Sequence, residues 1–301
     1  MRKIGIIGMG NVGTTVAYTL LTKGIADELV LIDSNHKKET AEFYDFMDAL
    51  SILPTHTKII MNNFDALCDA DIIVTAFGDI KLSVEGNDRF GELKINAQNA
   101  KEIGLKLKDI HFNGIILNIS NPCDAICMLL QHYTGLSKQH VIGTGTSLDT
   151  ARMKRALAMN FEVDAHNIQG FVLGEHGDSQ FTAWSTVTLN QLPLKTDHLD
   201  LTQLENDTRN GAWVIVEGKG YTSYGIASCA VEIIESIFSD ARRLLVVSCY
   251  IDAYQTYVGY PAIIGKNGID SMIQLPLTES EEQKLQHSAQ TIADKTAQYL
   301  A

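Results

Sequence analysis

The stretch Lys3–Gly13, KIGIIGMGNVG, decides the fold. An apolar run leads without a break into glycines at positions 8, 10 and 13, and then into an amphipathic segment. A strand covered on both faces reads this way, because helices shield both sides of a parallel sheet. GxGxxG is weak evidence alone; its place between a strand and a helix gives it weight. Gly8 allows a tight turn. Gly10 lets the backbone of Asn11 and Val12 approach a pyrophosphate, and Gly13 lets helix and strand pack closely. Asp33 ends the next apolar run, 20 residues after Gly13. A carboxylate there accepts hydrogen bonds from a ribose diol and repels a 2′-phosphate, which selects NAD over NADP. His36, Lys37 and Lys38 follow closely, and read either as a solvated helix start or as tolerance of NADP.

Working outward, six short runs (Lys3–Ile7, Glu28–Ile32, Lys58–Met61, Asp71–Ala76, Gly114–Ile119 and His140–Ile142) alternate with helical patterns. The helices are expected over Val12–Thr22, Lys37–Leu53, Asp88–Leu107 and Pro122–Tyr133. The grammar predicts α/β architecture: a Rossmann doubly wound parallel sheet in an NAD-binding domain over residues 1–143. Ligands bind at the carboxyl ends of such strands, which brings in Gly78 and the Asn121 of ISNP. Residues 144–301 read differently, as an α+β substrate domain with antiparallel strands. Helices are expected over Ser147–Met159, Leu201–Val216 and Tyr224–Phe238, and strands over Ile168–Leu173, Thr182–Leu189, Leu244–Tyr250, Tyr257–Ile264 and Ile269–Leu275. A last helix starts at Thr278-Glu279-Ser280-Glu281, a capping box. The two halves are expected to pack face to face.

A chain of 301 residues, 45% hydrophobic and 20% charged, buries a full core and belongs with ordinary globular proteins. The formal charge of −12 speaks against nucleic acid or an anionic membrane as partner, so an anionic small molecule needs a local arginine cluster. Five cysteines, an odd number without repeating spacing, suit a reduced cytoplasmic chain. Cys123 and Cys127 sit one helical turn apart without His or Cys partners nearby, so no metal site is expected. The strand pattern begins by residue 3 and leaves no room for a signal peptide.

Four more segments carry polar groups that a fold alone does not need: NDRFGEL with Arg89, LDTAR with Asp149 and Arg152, GEHGDS with His176, and GKGYTS with Thr222. Asp149 and Arg152, three apart on one helix, share a face, and taken alone the pair could be a local ion bridge. Together with GxGxxG and SNP, these motifs make the whole chain resemble the lactate/malate dehydrogenase family of L-2-hydroxy acid dehydrogenases. Within it, GDIKL, GTGTSLDTARM, LGEHGDSQF, GKGYTSYG and YPAIIG resemble the bacterial L-2-hydroxyisocaproate branch.

The resemblance implies NAD-dependent, reversible hydride transfer to a 2-keto acid. It makes His176 the acid–base, with Asp149 orienting its ring and raising its pKa. It assigns Arg152 to the substrate carboxylate, a planar fork that lysine cannot reproduce. Arg89 would close over the substrate and polarise its carbonyl, Asn121 would contact the reacting oxygen, and Thr222 would shape the pocket floor. The non-catalytic alternative, an NADH-binding protein, needs none of this set.

Specificity turns on GDIKLSVEGNDR, residues 78–89. Three residues after its glycine the family's lactate enzymes carry Gln and its malate enzymes Arg; here Lys81 stands there, followed by Leu82. With Gly211 and Ala212 small on the far wall, a wide apolar pocket is expected, taking branched or aromatic keto acids beside or ahead of pyruvate, with oxaloacetate third. The family's fructose-1,6-bisphosphate-activated members carry Arg and His where this chain has Lys154 and Gln169, so no such activation is expected. The family's habit suggests a homotetramer, with a dimer as the alternative.

Overall fold

β1 (Lys3–Ile7) is buried along its whole length and lies inside a sheet that both halves of the chain build. The computed structural model describes residues 1–79, 82 and 90–300. Parallel partners flank β1: β2 (Glu28–Ile32) and β3 (Lys58–Met61) on one side, β4 (Ile72–Thr75), β5 (Ile115–Asn118) and β6 (Val141–Gly143) on the other. Helices α1 (Asn11–Lys23), α2 (His36–Leu50), α3 (Leu93–Asp109) and α4 (Cys123–Thr134) alternate with these strands. This is the doubly wound order, and each expected strand lies within a residue or two of its expected bounds.

The glycine turn follows from close packing. A Cβ on Gly13 would sit 1.9 Å from the Gly8 carbonyl oxygen, and Gly8 itself has φ of +101°, which only glycine adopts freely. Apolar residues of α1, among them Val16, Leu20 and Leu21, cover one sheet face; those of α3 and α4, among them Leu93, Ile126 and Leu130, cover the other.

The sheet does not stop at residue 143. β12 (Arg243–Ile251) pairs antiparallel with β6 at Ser248 and Gly143, and β13 (Thr256–Gly265) and β14 (Gly268–Met272) continue outward. The described residues thus give one nine-stranded sheet in the order β14-β13-β12-β6-β5-β4-β1-β2-β3. Instead of meeting face to face, the halves share this sheet and a core, for β12 covers the edge that β6 would otherwise expose. α7 (Tyr224–Ser239), from the second half, contributes Ala230, Val231 and Ile234 to the same cluster as α1.

The rest of the second half holds α5 (Ser147–Phe161), α6 (Leu201–Lys219) and α8 (Glu279–Ala297). Two small antiparallel sheets join them, one of β7 (Ile168–Gln169), β10 (Thr188–Leu189) and β11 (Leu192–Pro193), the other of β8 (Val172–Leu173) and β9 (Phe181–Thr182). The expected strand 168–173 is broken at Gly170, whose φ is +129° and where a Cβ would fall 2.8 Å from Val187 Cγ2. The expected strand 182–189 is interrupted by a 3-10 turn at Trp184–Thr186. No helix among the described residues is long and apolar enough to cross a membrane.

Candidate active site

A cavity of about 460 Å³ runs across the carboxyl ends of the parallel strands and between the two halves of the chain. One end is lined by Gly10, Asn11, Val12, Gly78 and Asn121, the other by Arg152, His176, Ala212 and Thr222. The sequence motifs therefore converge on one space although they lie up to two hundred residues apart.

At the first end, the residues suit a dinucleotide. The start of α1 has no side-chain cap and no acidic residue in its first turn, and a Cβ on Gly10 would meet open space. Backbone N–H groups and the positive end of the helix dipole are thereby left for an anion. Asp33 accepts from Met9 N at 2.6 Å and from Asn35 N at 2.7 Å, which fixes the carboxylate beside the glycine turn. Lys38 lines the cavity, while His36 pairs with Glu39 at 3.3 Å.

At the second end, α5 presents Asp149 and Arg152 on one face, both buried. His176 Nδ1 donates to Asp149 Oδ2 at 2.6 Å, and Arg152 Nη1 donates to Asp149 Oδ1 at 3.0 Å. Asp149 thus makes the local ion pair that its spacing allowed and also the contact with the imidazole that the resemblance implied. Burial pulls the His176 pKa down, but the charge and hydrogen bond of Asp149 outweigh it, and the net shift is upward. Burial raises the Asp149 pKa, yet His176 and then Arg152 bring it to about 2. The Arg152 side chain is buried, and its Nε–H has no partner. A buried unpaired donor costs about 1–3 kcal/mol, which an arriving carboxylate would recover.

Some expected residues fall elsewhere. Gly211 does not widen the cavity: a Cβ there would meet the Arg155 guanidinium at 2.2 Å, so this side of α6 faces away. Only its neighbour Ala212 reaches the wall, with Leu148, Val216 and Ile226. Leu82 is half-buried, its N–H donating to Asp79 O at 3.1 Å, and does not line the cavity. Lys81 and Arg89 lie outside the described residues.

Four buried polar residues shape the site without having stood out in the sequence. Asn118 wraps the ISNP turn, accepting from Ser120 N and donating to the carbonyls of Ser120 and Cys123, each at 3.0 Å. Its signal was a polar residue ending an apolar strand. Glu92 accepts from Asp79 N at 2.9 Å, and Asn96, one turn on, donates to Asn121 O at 2.7 Å. Asp124 accepts from the backbone N of His176 at 2.9 Å and from Ser248 Oγ at 2.5 Å. In sequence it looked like any acid at a helix start. Among the described residues no group of three or more His, Cys, Asp or Glu is placed to hold a metal ion.

Comparison with known proteins follows the same division. The sequence profile of the lactate/malate dehydrogenase NAD binding domain matches residues 2–143, and that of the alpha/beta C-terminal domain matches residues 146–301. The chain is 36% identical to L-lactate dehydrogenase 3 of Bacillus thuringiensis subsp. konkukian, over 97% of this chain and 96% of that one. It is 35% identical to L-lactate dehydrogenase 1 of Bifidobacterium longum, again over 97% and 96%. Among solved structures, it resembles MGS-M5, a lactate dehydrogenase from a deep-sea metagenome library, with a TM-score of 0.92, 32% identity and coverage of 100% and 99%. The minor L-lactate dehydrogenase of Enterococcus mundtii, in a ligand-bound form, gives 0.89, 32% identity and coverage of 99% and 97%.

Proposed function

The chain belongs to the lactate/malate dehydrogenase family, and from that premise we propose that it is an L-lactate dehydrogenase, with pyruvate as its preferred keto acid. It is an NAD-dependent oxidoreductase acting on the CH–OH group of donors. The observation that carries the reading is the shared contact of His176 and Arg152 with one buried carboxylate, Asp149, in the cavity that also holds Gly10–Val12.

Gly10, Asn11, Val12 and Asp33, with Gly78 and Asn121, would hold NADH, which would supply the hydride when bound. The chain's own residues do the rest. Arg152 pairs its free donors with the substrate carboxylate and so sets which way the keto group faces. His176, protonated and oriented through Nδ1, gives the proton from Nε2 to the carbonyl oxygen and takes it back in the reverse direction. Asp149 stays ionised and stabilises the imidazolium, as its depressed pKa requires. Asn121 faces the reacting oxygen, and Thr222 bounds the pocket. Arg89, by the family's pattern, polarises the carbonyl and excludes water. We place the division of labour at 143/144: the dinucleotide contacts come from before it and His176, Asp149, Arg152 and Thr222 from after it, with Asn121 and Arg89 serving the substrate from the cofactor half.

The relatives' names favour lactate over hydroxyisocaproate, and the turn of Gly211 towards Arg155 removes one of the two small residues that argued for a wide pocket. A bulkier substrate remains the second reading, because Ala212, Leu148, Val216 and Ile226 form an apolar wall. The kcat/KM values with NADH for pyruvate, 4-methyl-2-oxopentanoate, phenylpyruvate and oxaloacetate decide. Pyruvate should lead; a lead for 4-methyl-2-oxopentanoate would restore the hydroxyisocaproate reading, and one for oxaloacetate would make Lys81 a carboxylate receptor.

We further infer a cytoplasmic homo-oligomer, a tetramer before a dimer. Exposed Tyr44, Met47 and Ile52 around α2, and Val214 and Tyr224 on α6 and α7, are the apolar surface that subunit contacts would cover. Fructose-1,6-bisphosphate should not activate, since Lys154 Nζ donates to Gln169 Oε1 at 3.4 Å in place of the activated members' Arg and His.

A further inference from the structure

We propose that Asp124 is a positioning residue for the reaction: its buried carboxylate pins the backbone of His176 and so fixes where the imidazole points. The proposal rests on His176 being the proton carrier. Asp124 is the second residue of α4 and is 2% exposed. Its Oδ2 accepts from His176 N at 2.9 Å, and its Oδ1 from Ser248 Oγ at 2.5 Å. Three elements from both halves therefore meet at one carboxylate: α4, β12 and the loop of the catalytic histidine.

The second anchor has a geometric purpose. A ring held only through Nδ1 can pivot about that hydrogen bond, moving its other nitrogen while the bond survives. Fixing the main chain at the same residue removes the pivot. Asp149 on α5 holds the ring and Asp124 on α4 holds the backbone, so the line from main chain to Nδ1 is set by two helices. The loop needs such help, because it runs between Gly174 and Gly177 and its amides find side chains: Glu175 N donates to Ser288 Oγ at 2.6 Å, just as His176 N donates to Asp124.

A plainer role for Asp124 exists, since an acid in the first turn favours the helix dipole. That role needs no contact with His176 and gives no reason to bury the group. Burial lifts the Asp124 pKa to about 6, against the pull of Ser248 and the His176 amide. An amide of the same shape would sit there at lower cost.

The test compares full-length wild type, Asp124→Ala, Asp124→Asn and His176→Ala by kcat and KM for pyruvate and by NADH affinity from fluorescence. Asp124→Ala should lower kcat about 30-fold, within the range that a displaced catalytic group costs, while NADH affinity stays within about twofold. Asp124→Asn, whose Oδ1 still accepts from the His176 N–H, should keep kcat within about threefold. Wild-type kcat in Asp124→Ala, or an equal loss in both variants, overturns the proposal. Should Asp124→Ala fail to fold, Asp124→Ser carries the test: its shorter side chain does not span the contact that Oδ2 makes with His176 N at 2.9 Å, and unchanged kcat there overturns the proposal. Wild-type activity in His176→Ala would instead remove the reading of the site on which the proposal stands.

Discussion

Arg152 gives one nitrogen to Asp149 and keeps a buried Nε–H without a partner, which is the state of a fork waiting for a carboxylate. Lysine in its place would keep the charge and lose the paired geometry, so Arg152→Lys should raise the pyruvate KM about 100-fold. An unchanged KM would move the substrate carboxylate elsewhere. Asp124 gives a second prediction at this scale, with its sign set by its pKa. Its folded value, about 6, lies above the ordinary 3.8. The favourable contribution is therefore present below 3.8 and lost as pH rises through 6. Asp124→Asn should raise the melting temperature near pH 8, by the equivalent of about 2–3 kcal/mol, and leave it unchanged near pH 4. A lower melting temperature at pH 8 would contradict this. The residues of the site were unevenly legible in the sequence. His176, Asp149 and Arg152 stood in motifs whose chemistry needs those side chains. Asp124 and Glu92 did not, because each acts through backbone groups that only the fold brings near, and Asn118, which binds the turn just after it, read as the polar end of an apolar strand.

The elements show where periodicity suffices and where it fails. Thr278 reads as a helix start and is one: its side chain accepts from Glu281 N at 3.3 Å, and Glu281 Oε2 accepts from Thr278 N at 2.8 Å. Thr278→Ala should cost about 1 kcal/mol of stability and leave the kinetics unchanged, since α8 hydrogen-bonds the loop of His176 through Ser288, ten residues further along the helix. A denaturant titration beside a kcat measurement checks both halves of that statement. The parallel strands were legible because each is buried on both faces and reads as a continuous apolar run. The segments 168–173 and 182–189 were not. Their alternation is broken by Gly170 at positive φ and by a 3-10 turn at Trp184–Thr186, where packing against Val187 and the chain's need to turn override strand propensity.

At the scale of the molecule, the sequence did not reveal that the sheet crosses from one half to the other. The hairpin of β12 and β13 has the same alternation whether it builds its own sheet or extends another, and the choice is made by long-range pairing of Ser248 with Gly143. That pairing matters for the proposed function, because it carries Ser248 to Asp124, which also holds the backbone of His176, the proposed proton carrier. In the proposed function, Asp149 holds His176 protonated so that it can serve the keto acid. The raised His176 pKa means that the charged form persists above the ordinary 6.5 and is lost as pH rises through the folded value. Removing the Asp149 charge leaves burial, which acts downward. The measurement that tests this most directly is the pyruvate KM from about pH 5 to about pH 10 in wild type and Asp149→Asn. The wild-type KM should stay low through neutrality and climb above the raised pKa, and in Asp149→Asn the climb should begin below 6.5. A flat wild-type profile, or the same onset in both proteins, would contradict the account.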